Sequence, residues 1–224
     1  MTYVMSDLHG CYGLYIKMLE KISFSDEDTL YILGDVIDRG EDGIKILFDM
    51  MKRKNVIPLL GNHDYTCSNL LKKLKCKATE ELKSIFRDWL SDGGLTTYQE
   101  YRSLSECEKK EILEYFKCFS IFEELEIQER TFFLSHTVPS RELMQDFDNI
   151  DWRELIIGEC EYDKQYFSDK YIVTGHTPTA LIDYSYKGKI YECNNHIAVD
   201  CGAVFTGVLG CICLDTMEKF YVEN

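Results

Sequence analysis

The chain has 224 residues and 26.2 kDa; 45% of them are hydrophobic and 29% charged, the balance of a folded protein rather than a disordered one. Thirty-nine acidic residues against 25 basic ones leave a net charge of −14, which opposes non-specific binding to nucleic acid. No apolar run approaches the ~20 residues of a membrane helix, and Met1 to Gly10 lacks the basic and apolar regions of an export signal; the expectation is a mature cytoplasmic protein without a membrane partner.

Taken in chain order, Tyr3-Val4-Met5 reads as a short strand. Tyr12 to Ile22 follows as a helix, with Tyr15, Met18, Leu19 and Ile22 on one stripe. Leu30 to Leu33 is a second strand. Ile44, Leu47, Phe48 and Met51 form a second helical stripe, and Val56 to Leu60 a third strand. This alternation implies a parallel sheet with crossover helices. Thr66 to Phe119 is mostly helical, with Leu82, Ile85, Phe86, Trp89 and Leu90 at helical spacing and a break at Asp92-Gly93-Gly94. The last third turns to strands at Thr131–Leu134, Tyr171–Thr174, Leu181–Tyr186, Ile190–Cys193, Ile197–Val199, Val208–Leu214 and Lys219–Val222. Lys187-Gly188-Lys189 and Thr216-Met217-Glu218 read as hairpin turns. The expected fold is α/β (α+β): two packed mixed sheets flanked by helices, one domain over residues 1–224, with a helical insertion at about 66–119.

Ten cysteines are present, but without an export signal a disulfide framework is not expected, and none shows Cys-x-x-Cys spacing. They read as buried free thiols. Cys11, beside the first motif described next, is the candidate for a redox-sensitive one.

The chemistry follows the strands. Ser6-Asp7-Leu8-His9-Gly10 follows the first, Gly34-Asp35-Val36-Ile37-Asp38-Arg39-Gly40 the second and Gly61-Asn62-His63-Asp64 the third; Ser135-His136 and Gly175-His176-Thr177 follow two later ones. Ligands in open α/β sheets bind at the carboxyl ends of strands, and four of the five histidines fall there. Asp, Asn and His without Cys make a mixed oxygen and imidazole donor set, suited to Mn²⁺, Fe or Zn²⁺. Asp7 and His9, two apart in an extended segment, can face one ion, and Asp35 can bridge two. His196, in a polar Asn194-Asn195 stretch, reads as a surface residue.

These motifs resemble the calcineurin-like metallophosphoesterases, and within them the phosphoprotein phosphatase branch. The matching residues are Asp7-Leu8-His9-Gly10, Gly34 to Gly40, Gly61 to Asp64, His136 and Gly175-His176, in the family order. Trp89 to Gly94 and Val199 to Val204 are similar to short bacterial and phage members. The resemblance implies two divalent metal ions, Mn²⁺ foremost. Asp7, His9 and Asp35 would hold the first; Asp35, Asn62, His136 and His176 the second. His63 would be the leaving-group acid, oriented by Asp38. Arg39 would bind phosphate, with Arg153, in Asp151-Trp152-Arg153-Glu154, as a second phosphate arginine and Asn62 near the substrate. The expected activity is that of a protein serine/threonine phosphatase acting on a phosphorylated protein or peptide, with oligomeric state open and a monomer allowed. A symmetrical dinucleoside polyphosphate hydrolase is the alternative: His9-Gly10-Cys11-Tyr12 is similar to its start, but the intact Asp38-Arg39-Gly40 points away from it. A non-catalytic phospho-binding module is the reading from another class, opposed by the presence of every ligand.

Overall fold

The structure, a computed structural model, describes residues 1–74, 77 and 79–224. Cys76, one of the cysteines expected to be buried, lies outside the described residues.

Ten strands are described: β1 Thr2–Met5, β2 Thr29–Ile32, β3 Val56–Pro58, β4 Phe122–Ile127, β5 Arg130–Ser135, β6 Lys170–Thr174, β7 Tyr191–Cys193, β8 His196–Ala198, β9 Val208–Cys213 and β10 Lys219–Glu223. They form two five-stranded sheets, in the orders β10-β9-β1-β2-β3 and β4-β5-β6-β8-β7. β1, β2 and β3 are mutually parallel, as are β5, β6 and β8, while β9, β10, β4 and β7 pair antiparallel. Both sheets are mixed, as expected.

Side-chain alternation divides the core into layers. Tyr3 and Met5 of β1 and Leu30 and Ile32 of β2 face the helical layer, whereas Val4 and Tyr31 turn inward to the other sheet. Phe132 and Leu134 of β5 meet them there; Phe133, between the two, packs outward on Val138, Met144 and Leu155.

The helices are α1 Tyr12–Lys21, α2 Gly43–Met50, α3 Asn62–Lys73, α4 Glu80–Trp89, α5 Leu95–Ser103 and α6 Glu106–Tyr115, then four single turns: α7 Arg141–Met144, α8 Glu154–Ile157, α9 Thr179–Ile182 and α10 Ala203–Thr206. Leu14, Tyr15, Met18 and Leu19 form the buried stripe of α1. The hydroxyl of Thr79 accepts Leu82 N–H to cap α4, and Ser105 and Glu108 cap α6 reciprocally. Between α4 and α5 the chain bends at Gly93, whose φ of 101° a side chain would resist.

Three expectations fail locally. Leu181–Tyr186 is not a strand: Pro178 opens the helical turn α9, and Asp183 accepts Ser185 N–H to form a further tight turn, so Lys187-Gly188-Lys189 joins no hairpin. β4 was not anticipated; it is an edge strand whose glutamates 123, 124 and 126 mask its alternation. His196 is fully buried rather than on the surface. Asn194 and Asn195, at φ of 53° and 60°, are the tight turn between β7 and β8, and the residue after them enters the core. Among the cysteines, Cys67, Cys201, Cys211 and Cys213 are buried free thiols, but Cys107, Cys118 and Cys193 are exposed.

Candidate metal centre

Parallel pairing puts the carboxyl ends of β1, β2 and β3 at one edge of the first sheet, and those of β5 and β6 at one edge of the second. The two edges meet through the histidines. His136 Nδ1–H donates to the Leu33 carbonyl, 2.6 Å away, directly linking the sheets. His9 Nδ1–H donates to the Ile37 carbonyl at 2.9 Å. A carbonyl can only accept, so each ring is fixed in the tautomer that leaves Nε2 with its lone pair turned to the centre.

Asp35 stands between them. Its Oδ2 lies 3.7 Å from His9 Nε2 and 3.5 Å from His136 Nε2. The donor atoms of His9, Asp35 and His63 lie within 4.8 Å of one another, and so do those of Asp35, His136 and His176. Asn62 Oδ1 is 3.0 Å from His136 Nε2 and 3.1 Å from His176 Nδ1. Asp7 Oδ1 faces His9 Nε2 at 4.0 Å, while its Oδ2 accepts the His176 N–H and the Ser6 hydroxyl. Asp7, His9, Asp35, Asp38, Arg39 and His176 all have left-handed backbone, φ between 39° and 69°, a conformation that costs free energy and that the surrounding fold imposes here. Close passage explains Gly61: a Cβ there would overlap the Asp35 carboxylate.

The protonation states follow from burial and charge. Burial holds His9 below the ordinary histidine range and His176 down to about 4, with His136 beside it adding to the effect. Burial would raise Asp35, but His136, His63 and His9 outweigh it and hold the carboxyl below its usual range. Neutral imidazoles, as burial favours at His9 and His176, beside an ionised carboxylate are forms that bind a cation. The donor set therefore fits divalent metal.

His63 and Arg39 are set differently. His63 Nδ1 is 2.9 Å from Asp38 Oδ2, and that carboxylate also receives Trp89 Nε1–H at 2.8 Å and Thr97 Oγ1–H at 2.7 Å. Burial lowers the His63 pKa, yet the Asp38 hydrogen bond and the charges of Asp35 and Asp38 outweigh it and raise it to about 9. The Arg39 guanidinium lies across the centre, donating to His9 Nε2, with its Nη2 2.9 Å from His63 Nε2. Its other neighbours are Asp92 at 3.6 Å and the ring of Phe205, 5.3 Å away.

Nine of the ten expected site residues are thus brought together. Arg153 is not among them: it lies exposed before α8, its guanidinium paired with Asp151 Oδ1 and Oδ2, both at 2.9 Å from Nε. Cys11 is no activated thiol. Its S–H points to the His9 carbonyl at 3.7 Å and burial raises its pKa, which keeps it a poor nucleophile. Sequence reasoning missed Trp89 and Thr97 as partners of Asp38, and missed the work of Asp64. That buried carboxylate accepts the N–H groups of Asp35 at 2.7 Å and of Val36 and Gly61 at 3.2 Å, tying the loops after β2 and β3 together. The signal for Asp64 was available, three residues after a glycine at a helix start; Trp89 opened a stretch similar to short family members, but nothing tied it or Thr97 to Asp38.

Residues 2–207 match the model of the calcineurin-like phosphoesterases. The chain belongs to that family. Membership implies divalent metal ions, in agreement with the donor set. Among similar sequences is a symmetrical bis(5'-nucleosyl)-tetraphosphatase of Haemophilus ducreyi, 38% identical over 88 residues, which are 38% of this chain and 33% of that one. An enzyme of the same name from Buchnera aphidicola subsp. Schizaphis graminum is 30% identical over 171 residues, 74% of this chain and 54% of that one. The chain spans between about a third and about half the length of these curated relatives. Among solved structures, one described as a candidate diadenosine tetraphosphatase superposes with a TM-score of 0.72 at 18% identity, over 100% of this chain and 93% of that one. A protein serine/threonine phosphatase of Saccharomyces cerevisiae gives 0.60 at 13% identity, over 100% and 79%. At these identities the likeness is one of fold.

The sequence relatives overturn the expected protein serine/threonine phosphatase and its phosphorylated protein or peptide partner, because they are named for dinucleoside tetraphosphates. The error lay in the weight placed on Asp38-Arg39-Gly40. A guanidinium grips the free oxygens of a phosphoryl group and is indifferent to whether the fourth substituent is an alkyl ester or another phosphate.

Proposed function

We propose that the chain is a metal-dependent hydrolase of dinucleoside tetraphosphates that cleaves symmetrically, giving two nucleoside diphosphates. The observation that carries the phosphoryl-transfer chemistry is the pair of histidine–carboxylate triads sharing Asp35 with Arg39 laid across them. The nucleotide substrate rests on the relatives' names. No helix among the described residues is long and apolar enough to cross a membrane.

In this reading Asp7, His9 and Asp35 hold one ion, and Asp35, Asn62, His136 and His176 the other. Bound there, two divalent ions lower the pKa of water and polarise phosphoryl oxygens. Manganese is favoured by the mixed nitrogen and oxygen donors. The substrate's inner phosphate draws the Arg39 guanidinium onto its free oxygens, which releases His63 Nε2. Water adds to one inner phosphorus and loses one proton to solvent, the P–O bond to the central bridging oxygen breaks, and protonated His63 gives its Nε2 proton to the departing diphosphate and regains one from solvent. Asp38 keeps His63 Nδ1–H fixed throughout.

The test is hydrolysis of diadenosine tetraphosphate by metal-stripped protein reloaded with Mn²⁺, Fe²⁺, Zn²⁺ or Mg²⁺ in turn. ADP as sole product, with Mn²⁺ most active, is expected. AMP and ATP would reject symmetrical cleavage, and full turnover without metal would reject the mechanism.

A further inference from the structure

Phe205 is exposed to 65%, beside the candidate phosphate-binding arginine. A lone exposed aromatic is ordinary on a protein surface; the way this one is mounted is not. After β8 the chain runs inward through buried Asp200 and Cys201, then reverses at Gly202, φ 78°, into the single turn α10. That turn is pinned. Phe205 N–H donates to the Gly202 carbonyl at 2.9 Å, and the Thr206 hydroxyl lies 2.9 Å from the carbonyls of both Cys201 and Gly202. Ala203 packs into the core while Phe205 projects from it. One face of the ring looks at Arg39 Cζ, 5.3 Å from its centroid, and Arg39 in turn touches His9 and His63.

A flat apolar surface is therefore held rigidly one side chain away from the phosphate site. In a nucleoside polyphosphate, a flat π-system lies one ribose away from the phosphate chain. We propose that Phe205 is the stacking platform for one nucleobase of the bound substrate, and so determines its preference for nucleotides over other phosphates. This rests on the dinucleotide reading above. The cation on one face and a base on the other make a continuous stack, and both interactions are favourable for an aromatic ring. Base–aromatic stacking is typically worth about 5- to 150-fold in binding. A phosphorylated side chain other than tyrosine offers no such partner.

The experiment compares diadenosine tetraphosphate with inorganic tetraphosphate, which has the same phosphate chain and no base. Phe205→Ala should lower the ratio of kcat/KM for dinucleotide to that for tetraphosphate about tenfold, mostly through KM. Phe205→Leu, which keeps apolar bulk but not the flat ring, should do the same, and Phe205→Trp should restore the ratio. Equal losses on both substrates would overturn the proposal, because the ring would then act only by holding Arg39. Since wild-type turnover of the dinucleotide is measured in the same series, that outcome is distinct from failure of the dinucleotide reading itself, in which the wild type would hydrolyse tetraphosphate alone.

Discussion

The two triads that share Asp35 differ in what surrounds them. On the His9–His63 side charged groups crowd the rings: Asp38 against His63, the Arg39 guanidinium across both, and exposed Asp92 lying 3.7 Å from His63 Nε2, with the Ile37 carbonyl as a neutral partner of His9. On the His136–His176 side the rings' hydrogen-bond partners are neutral, the Leu33 carbonyl and the Asn62 amide oxygen, with the two ring nitrogens only 3.1 Å apart, and charge enters only through the Asp35 and Asp7 carboxylates. Charges that can be exchanged suit proton and phosphate handling; closely grouped ring nitrogens and an amide oxygen suit the holding of a cation. In the proposed function the first half joins a metal site to the groups that handle proton and phosphate, and the second only holds a cation.

Asp35→Asn tests what the halves have in common and should have the largest effect. Losing an outer partner of a metal ligand costs about 10- to 100-fold, so replacing a shared carboxylate should cost more than about 100-fold in turnover and leave fewer than two metal equivalents by metal analysis. Two retained equivalents would show that Asp35 is not the bridge.

His63→Asn separates the halves. General acid catalysis contributes about 10²–10⁴-fold. A departing diphosphate oxygen takes up its proton near pH 6, far below an alkoxide, so the loss on diadenosine tetraphosphate should sit near the lower limit, about 10². A simple alkyl phosphate should lose more. Both metals should remain; if one is lost, His63 belongs to the first triad as a ligand, as its distance to His9 and Asp35 would allow.

Trp89→Phe probes the support behind His63. It removes the indole N–H from Asp38 and leaves the metal ligands untouched. A fall in kcat of about tenfold, with KM and metal content held, is expected, equivalent to about 1.4 kcal/mol of transition-state stabilisation. An unchanged kcat would mean that Thr97 alone holds Asp38.

The reactive half was less legible in the sequence than the binding half, for a physical reason. The residues proposed as metal ligands, Asp7, His9, Asp35, Asn62, His136 and His176, follow strands closely and so stand out by position; parallel pairing gathers them at one edge of each sheet, and packing of the two sheets brings the edges together. Trp89, Thr97 and Phe205 reach Asp38 and Arg39 from segments more than fifty residues away, and their approach depends on how α4, α5 and α10 pack. Arg153 shows the converse: motif similarity placed it at the site, but Asp151, two residues away, is a nearer partner. The substrate was misread because the motif residues handle phosphorus, whereas the groups that distinguish one leaving group from another lie outside them.

Burial disfavours a charged imidazole at His196 as it does at His176, and this gives the smallest effect. His196 opens β8, beside β6, its Nε2 2.8 Å from the hydroxyl of Thr174, two residues before His176, and its ring stacked on Tyr162. Burial alone pushes it down to about 3. An unfolded chain would protonate this histidine near its ordinary pKa of about 6.5. Its contribution is therefore fully present above that pH and is lost as pH falls from about 6.5 toward 3, because the unfolded state takes up a proton that the folded state refuses. The slope is at most about 1.4 kcal/mol per pH unit. His196→Phe keeps the stacking and abolishes the titration. In urea melts between pH 7 and pH 5, the wild type should lose stability more steeply than the variant, even if the variant starts lower at pH 7 because Thr174 has lost its partner. Parallel pH curves would show that His196 is not buried neutral, and that the binding half of the centre has a charged histidine behind it.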